Sequence, residues 1–151
     1  MITAQVENLT ETLEELKPHF PAHWEELALF KDKMPLDPQY DIYEKMDAAG
    51  QAFLATLRDQ GKLVGYFVGF ITPGLHYKQT LTCKMDIVYI DPEYRSAGNG
   101  FLLFETVKAA LTKRGVKLWW VGSKNHKPIE AFFRLFGFQQ EEAYFAMWLG
   151  D

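Results

Sequence analysis

Cysteine is nearly missing from this sequence, since Cys83 is the single example among 151 residues. One cysteine excludes an intramolecular disulfide, and such cysteine usage is typical of a reducing cytoplasm. Long apolar runs are missing too, because no stretch reaches the length of about 18 residues that could span a membrane. Residues 1–7 also lack the basic and apolar parts of a secretory signal. These absences predict a cytoplasmic protein without a membrane partner.

Positive charge is in slight deficit, with 16 Lys or Arg against 20 Asp or Glu and a net charge of −4. A general nucleic-acid-binding protein would be more basic, so nucleic acid is not an expected partner. The charges are unevenly spread, because residues 1–60 contain 5 Lys or Arg and 12 Asp or Glu, whereas residues 101–140 contain 7 and 2. The basic segment would suit an anionic ligand and the acidic segment a cationic substrate. Ordinary solvated helix faces are the alternative interpretation.

No repeat, low-complexity tract or linker divides the chain, so we expect one domain over residues 1–151. Periodicity and turn residues predict a mixed α/β order of strand, three helical segments, three strands, helix, strand, helix and strand. These elements are expected at residues 2–6, 8–16, 24–30, 40–49, 53–58, 63–71, 80–90, 101–114, 116–121, 128–136 and 144–149. Residues 116–121 are apolar apart from Lys117, which predicts a strand buried on both faces.

A glycine-bearing loop joins the strand at 80–90 to the helix at 101–114, and its sequence is Arg95-Ser96-Ala97-Gly98-Asn99-Gly100. A helix N-terminus has backbone N–H groups without intrahelical partners and the positive end of the helix dipole, which suits a phosphate. Glycine lets the backbone approach that phosphate closely. No third glycine completes a Rossmann fingerprint, and no Lys-Ser/Thr pair completes a P-loop. The loop pattern is short, so the strand and helix around it carry the prediction.

The order of elements resembles the GNAT superfamily of N-acetyltransferases. Residues 90–103 resemble its acyl-CoA-binding motif, residues 131–138 its C-terminal helix, and residues 144–149 its final strand. These motifs cover roughly the second half of the chain, whereas the first half matches in layout only. The segment Leu75-His76-Tyr77-Lys78-Gln79-Thr80-Leu81 is similar to GNAT proteins encoded by bacteriophages.

The resemblance implies a single-domain acyl-CoA N-acyltransferase fold, with a central, mostly antiparallel sheet, splayed strands and flanking helices. It implies acetyl-CoA as cosubstrate and no metal. The pyrophosphate would lie on backbone N–H groups of the loop and first helical turn, at Ser96, Ala97, Gly98, Asn99, Gly100 and Phe101. The pantetheine arm would follow the backbone of Val88, Tyr89 and Ile90. Arg95 would add charge to the phosphates, unless it is only an exposed turn arginine.

Near the last helix, the resemblance implies that Asn125 or His126 contacts the pantetheine. It also places Phe133 at the cofactor, where the family commonly has a tyrosine that serves as general acid. Phenylalanine cannot protonate a thiolate. Tyr144, Tyr89 or bulk water would then replace the missing acid, or the thiolate leaves without one.

Acyl transfer to an amine also needs a group that takes the proton of the amine. Asp86 is the leading candidate, because it is a carboxylate in an otherwise apolar strand, where burial would raise its pKa. Strand alternation predicts that Asp86 shares a face with Val88 and Ile90, and a structural ion pair with Lys84 or an arginine is the alternative. His76, in the loop before that strand, is a second candidate, and Tyr77 beside it would line the pocket or merely pack.

Two other features have structural interpretations. Cys83 falls on the opposite face from Asp86 by strand parity, so core packing is expected rather than a nucleophile. His19 and His23 are spaced like metal ligands on one helix face. Pro21 between them argues against a regular helical metal site.

We therefore expect an acetyl-CoA-dependent N-acetyltransferase that moves an acetyl group to a primary amine by direct transfer in a ternary complex. The acceptor would be a small-molecule amine, or a lysine or N-terminal amine of a protein. A non-catalytic acyl-CoA-binding or protein-interaction module is the alternative, and Phe133 favours it. A bacteriophage-encoded modifier of a host protein or of a modified nucleobase is a third hypothesis. The aromatic-rich segment 144–148 leaves a homodimer open.

Overall fold

A five-stranded sheet lies at the centre of the computed structural model, which describes residues 1–96 and 98–151. In spatial order its strands are β1 (Ile2–Glu7), β2 (Ala52–Asp59), β3 (Lys62–Gly74), β4 (Tyr77–Ile90) and β5 (Leu118–Trp120). The first four pair antiparallel with their neighbours, and β5 pairs parallel with β4. The prediction of a mixed α/β fold with a mostly antiparallel sheet is confirmed. Ala97, which was expected at the phosphate, lies outside the described residues.

Helices cover both faces of this sheet. They are α1 (Leu9–Leu16), α2 (Phe20–Leu27), α3 (Tyr40–Ala48), α4 (Asn99–Lys113) and α5 (Glu130–Phe136), with short 3₁₀ turns at Lys17–His19 and Pro92–Tyr94. Helix α1 begins where its sequence favours a start, because the Asn8 side chain accepts a hydrogen bond from the Glu11 backbone N–H at 2.9 Å. In the described part of the chain, no helix has the length and apolar character needed to cross a membrane.

The core has two parts, one on each face of the sheet. Phe53, Ala55 and Leu57 of β2 pack in the cluster that includes α4 and Phe133 of α5. The alternate residues Ala52 and Leu54 pack in the cluster that includes α1. Because β2 is buried on both faces, its apolar residues run nearly without interruption, as expected for a central strand.

A bulge interrupts the pairing of β3 with β4. Val68 pairs with Ile87, and the next residue, Gly69, pairs with Met85, so Asp86 is one residue more than the ladder needs. An extra residue reverses the alternation of side chains between the two faces of a strand.

The bulge overturns the prediction that Asp86 shares a face with Val88 and Ile90. Val88 and Ile90 pack against the α4 cluster, whereas Asp86 lies on the other side, where Tyr43 of α3 donates a hydrogen bond to it. Periodicity of two cannot reveal an inserted residue, so the sequence pattern gave the wrong face. Cys83 packs fully buried in the α4 cluster.

The predicted strand at 116–121 is shorter and more exposed than expected. Strand β5 has three residues, pairs only with residues 82–84 of β4, and leaves Leu118 42% exposed. The predicted final strand at 144–149 is absent, because residues 137–151 form no strand and Phe145 is 95% exposed. Apolar composition alone indicated these strands, but strand formation also needs a neighbouring edge of matching length.

A partly buried ionic cluster connects β1, β2 and α1. The Arg58 guanidinium donates hydrogen bonds to the Glu7 carboxylate at 2.8 Å and to the Glu15 carboxylate at 2.7 Å. It also donates a hydrogen bond to the Gly61 carbonyl at 2.7 Å. Burial acts to raise the pKa of Glu7, but hydrogen bonds from Arg58 and Thr56 outweigh it and hold that pKa below its ordinary value of 4.5. The resulting stabilisation is present above that value and is lost as the pH falls through the lowered pKa.

Replacement of Arg58 by Met is expected to lower the free energy of unfolding by about 3–5 kcal/mol, because the Glu7 carboxylate then stays largely buried without a counterion. Urea unfolding at pH 7 measures this loss. Arg134→Met is the control, because its partner Glu130 is about half exposed, and should cost less than about 1 kcal/mol. Wild type should also lose more stability than Arg58→Met between pH 7 and 3. Equal losses over that interval would contradict the assignment.

Candidate active site

Two cavities meet beside the bulge of β4. The α3 cavity, of about 720 Å³, lies among α2, the segment 28–39, α3 and the bulge. The α4 cavity, of about 580 Å³, lies among residues 85–90 of β4, the first turns of α4 and the segment 122–132. The two cavities share five of their lining residues, namely His23, Leu27, Asp86, Ile87 and Lys124. The two cavities therefore adjoin at these residues, which we call the junction.

The α4 cavity exists because β4 and β5 separate. Their pairing ends at Lys84 and Trp120, so residues 85–90 have no β5 neighbour on that side. Gly100, at the start of α4, lines the cavity, and a Cβ there would lie 3.1 Å from the ring of Phe132. A larger residue at this position would require the Phe132 ring to shift by a few tenths of an ångström.

Five of the residues expected to bind the cofactor line the α4 cavity, namely Val88, Tyr89, Ile90, Arg95 and Gly100. Four others, Ser96, Gly98, Asn99 and Phe101, lie beside it in the loop and in the first turn of α4 without lining it. Gly98 takes the left-handed conformation that the turn into α4 requires, with φ of 78°.

The Arg95 side chain is 41% exposed, and it is also paired with Glu26. Its guanidinium makes two hydrogen bonds to the Glu26 carboxylate, at 2.6 and 2.5 Å, and one at 2.8 Å to the Ile90 carbonyl. The hydrogen bonds from Arg95 hold the pKa of Glu26 below its usual value. This pair connects the loop to α2 across the cavity. Lys124 and Lys127 also line the cavity and have no ion-pair partner among the described residues.

Asp86 lies at the junction of the two cavities. The Tyr43 hydroxyl donates a hydrogen bond to Oδ2 of Asp86. Burial raises the pKa of Asp86, and the hydrogen bond from Tyr43 opposes that rise. Neither Lys84 nor an arginine pairs with Asp86 in the described part of the chain, so the expected alternative of a structural ion pair does not apply. A carboxylate in this setting can accept a proton from a neighbouring amine.

His23 is a junction residue that the sequence analysis considered only as a metal ligand. Its Nδ1 lies 2.9 Å from the hydroxyl of Tyr66, and its ring stacks on Tyr89 with centroids 4.9 Å apart. Tyr66 is fully buried and its hydroxyl has no other partner among the described residues, so the O–H donates to Nδ1. The neutral imidazole must then have its proton on Nε2, where it can donate a hydrogen bond at the junction.

Other predicted residues lie away from both cavities. His76 is exposed at the tip of the hairpin between β3 and β4, beside Tyr77, which is 69% exposed. Asn125 and His126 form the exposed turn between Lys124 and Lys127, so their neighbours line the α4 cavity instead of them.

Three further residues line neither cavity. Phe133 is buried among core aromatics, and the adjacent Phe132 lines the cavity in its place. Tyr144 is 75% exposed and its hydroxyl donates to Glu142 at 2.9 Å, outside both cavities. Burial raises the pKa of the Cys83 thiol to about 12, which suits a core residue and not a nucleophile.

Tyr43, His23 and Lys124 were not predicted for the site. Each lies on a different segment, 38 to 63 residues from Asp86 along the chain. No local motif marks them. For His23 and Tyr43, the available signal was polar or aromatic character in helices that are otherwise expected to pack on the sheet, and Lys124 lies outside the helices.

The acetyltransferase (GNAT) family model matches residues 9–138 of this chain. No curated protein sequence matches it at a significant level. Among solved structures, a ribosomal-protein-alanine N-acetyltransferase from Brucella melitensis biovar Abortus 2308 is similar, with a TM-score of 0.78 and 13% identity over 100% of this chain and 99% of that one.

Two other solved structures share the fold. An aminoglycoside acetyltransferase from an uncultured soil metagenomic sample, in complex with sisomicin, has a TM-score of 0.76 and 14% identity over 99% of this chain and 95% of that one. A predicted acetyltransferase with acetyl-CoA from Clostridium acetobutylicum has a TM-score of 0.69 and 11% identity over 99% and 97%. At these identities the likeness establishes the fold alone.

His23 is expected to stay neutral at physiological pH with its proton on Nε2. Desolvation by burial lowers the pKa of His23 to about 4. Long-range ¹H–¹⁵N NMR correlation of the imidazole nitrogens over pH 3.5–8 would give both the tautomer and the pKa. Replacing Tyr66 by Phe removes the hydroxyl that fixes the tautomer, and should let both neutral forms appear. Titration of wild-type His23 near its ordinary pKa of 6.5 would contradict this description.

Proposed function

Because the chain belongs to the acetyltransferase (GNAT) family, we propose that it transfers an acetyl group from acetyl-CoA to a primary amine while both substrates are bound. The observation that carries this proposal is the meeting of two cavities at Asp86 and His23. Direct transfer needs the amine and the thioester in contact, with the rest of each substrate in separate space. The α4 cavity would hold the donor and the α3 cavity the acceptor.

Acetyl-CoA would bind with its pyrophosphate at the start of α4, on the backbone of the segment 96–101. The pantetheine arm would follow the unpaired edge of β4 at Val88, Tyr89 and Ile90, whose backbone groups can hydrogen-bond its amides. Lys124 and Lys127 supply positive charge on the same cavity wall. Arg95 would position the loop through Glu26, and could exchange that carboxylate for a phosphate.

Asp86 would act as the general base. The amine nitrogen attacks the thioester carbonyl carbon, a C–N bond forms and the C–S bond breaks. The proton of the amine passes to Asp86, directly or through water, and the sulfur leaves as the thiolate of CoA and is later protonated. Burial among apolar side chains supports this role, because the raised pKa of Asp86 makes its carboxylate a stronger base.

His23 would stabilise the thioester side of the reaction. A neutral imidazole with its proton on Nε2 can donate a hydrogen bond to the charge that develops as the thioester is attacked. This contribution does not require full proton transfer, and it would offset the missing hydroxyl at Phe133. Tyr66 would be a positioning residue, since it acts only through the tautomer of His23.

A non-catalytic acyl-CoA-binding module is the second candidate. The observation that favours it is the burial of Phe133 in the core, without a hydroxyl at the cavity. The cytoplasmic setting stays a prediction from cysteine usage. Bacteriophage origin likewise stays a prediction from the resemblance of residues 75–81, as does a homodimer from the segment 144–148.

Acetyl-CoA and CoA, but not NADH, should raise the unfolding temperature. At a ligand concentration of 100 times Kd, the expected stabilisation is about 2.7 kcal/mol, or about 5–10 °C for a chain of this size. Gly98→Glu should abolish the shift, because it adds a carboxylate beside the phosphate position. Gly115→Glu is the matched control, since Gly115 also has a positive φ and open space but lies at the other end of α4. An equal loss of the shift in both variants would point to backbone strain instead of ligand contact.

Asp86→Asn is expected to lower kcat about 10²–10⁴-fold with little change in acetyl-CoA binding. Activity should fall as the pH drops through the pKa of Asp86, since only the carboxylate can accept a proton.

Tyr43→Phe removes a hydrogen bond that lowers this pKa, so the acid limb of the pH–kcat profile should move to higher pH. Steady-state rates across pH 5–9 provide the measurement. A profile that Tyr43→Phe leaves unmoved would argue against Asp86 as the base, and acetyl-CoA binding without turnover of any amine would favour the second candidate.

A further inference from the structure

Apolar side chains make up most of the wall of the α3 cavity. Aromatic rings of Trp24, Phe30, Tyr43 and Phe70 line it together with aliphatic residues of the segment 28–39. Four large hydrophobic residues on this wall are exposed to solvent, with Leu29 at 46%, Met34 at 42%, Ile42 at 40% and Leu36 at 39%. Apolar surface gathered around one concave site is typical of a ligand pocket, because a bound apolar group would cover it.

Charge on the same wall is scarce. Among the described residues that line the α3 cavity, the carboxylates are Asp86 and Asp37, and the basic residue is Lys124. Asp86 lies at the junction with the α4 cavity, whereas Asp37 is exposed on the connecting segment. A ligand with several ammonium groups would lose hydration here without finding a carboxylate for each. One cationic amine, by contrast, can place its nitrogen at Asp86.

From this distribution we infer that the α3 cavity binds a compact primary monoamine with an aromatic or branched aliphatic body. The inference rests on the proposed function, since it assigns that cavity to the acceptor. The nitrogen lies at Asp86, beside the thioester, and the apolar body lies against the rings and aliphatic side chains of α2, α3 and the segment 28–39. A volume of about 720 Å³ accommodates such a molecule.

The apolar wall also favours the reactive form of the acceptor. An ammonium ion cannot attack a thioester, and desolvation lowers the pKa of an ammonium group. Apolar side chains that cover the amine therefore oppose the ammonium form that the Asp86 carboxylate favours, and it is the neutral amine that attacks before its remaining extra proton passes to Asp86. A polycationic substrate such as an aminoglycoside would keep its other charges hydrated and could not be enclosed in this way.

A matched amine panel tests the inference at saturating acetyl-CoA. We expect kcat/KM for 2-phenylethylamine to exceed that for ethanolamine about 30-fold or more, as burial of a phenyl ring implies. Sisomicin, spermidine and a peptide with an N-terminal alanine should be poor acceptors. A higher kcat/KM for any of these three than for 2-phenylethylamine would overturn the inference and leave the proposed transferase activity in place.

Variants on the wall separate apolar recognition from chemistry. Ile42→Ser should raise KM for 2-phenylethylamine about threefold to tenfold and KM for ethanolamine less, because Ile42 lies on the apolar wall that would cover the body of the acceptor. Leu135→Ser is the control, since Leu135 is 75% exposed on α5 and lines neither cavity. Equal effects of the two variants on KM would also overturn the inference.

Calorimetric titration of 2-phenylethylamine into the CoA-bound protein distinguishes failure of this inference from failure of the proposed function. Binding that Ile42→Ser weakens, without turnover, would support the ligand class and refute the transfer reaction. Turnover of other amines with no binding of 2-phenylethylamine would refute the ligand class alone. Thermal stabilisation by acetyl-CoA with neither amine binding nor turnover would refute both.

Discussion

The extra residue at Asp86 of β4 is the constraint on which the arrangement of the site depends. Without the bulge, strict alternation would put Asp86 on the same face as Val88 and Ile90, toward α4. With it, those two residues face the α4 cluster while Asp86 meets Tyr43 of α3. One strand thus contributes a wall to each of two cavities, and the carboxylate lies where the cavities join. A bulge of this kind reverses the alternation of side chains beyond the extra residue, while the pairing continues on either side of it.

Contacts from α2 complete the junction. Three contacts hold α2 in place. His23 stacks on Tyr89 of β4, Tyr66 of β3 donates a hydrogen bond to His23, and Glu26 pairs with Arg95 in the loop after β4. Each contact also constrains a group with a proposed role. The first holds the plane of the imidazole ring, the second fixes its tautomer, and the third holds the loop that leads into α4. The same side chains therefore pack α2 on the sheet and position the groups of the site. A variant at any of them could lower activity through either effect, so its stability or ligand binding must be measured as well.

The fold and the proposed acceptor site carry different kinds of information. The fold is shared with acetyltransferases at 11–14% identity, which is possible because a sheet with two covered faces constrains burial and periodicity more than residue identity. The α3 cavity is built mainly from α2, α3 and the segment between them, on which no family motif falls. Its apolar wall and few carboxylates are properties of this chain, and they are the basis for assigning an acceptor class.

The sequence by itself determined the mixed α/β class, the strands β2 and β3, and the loop and helix that follow β4, because each depends on local periodicity or glycine conformation. It also indicated Asp86, since a carboxylate in an apolar strand is unusual. Only the tertiary structure decided which way Asp86 faces, that His23 and Tyr43 lie beside it, and that residues 144–149 form no strand in the described chain. Those features depend on a ladder register and on contacts between segments 43 or more residues apart in sequence, which no local pattern records.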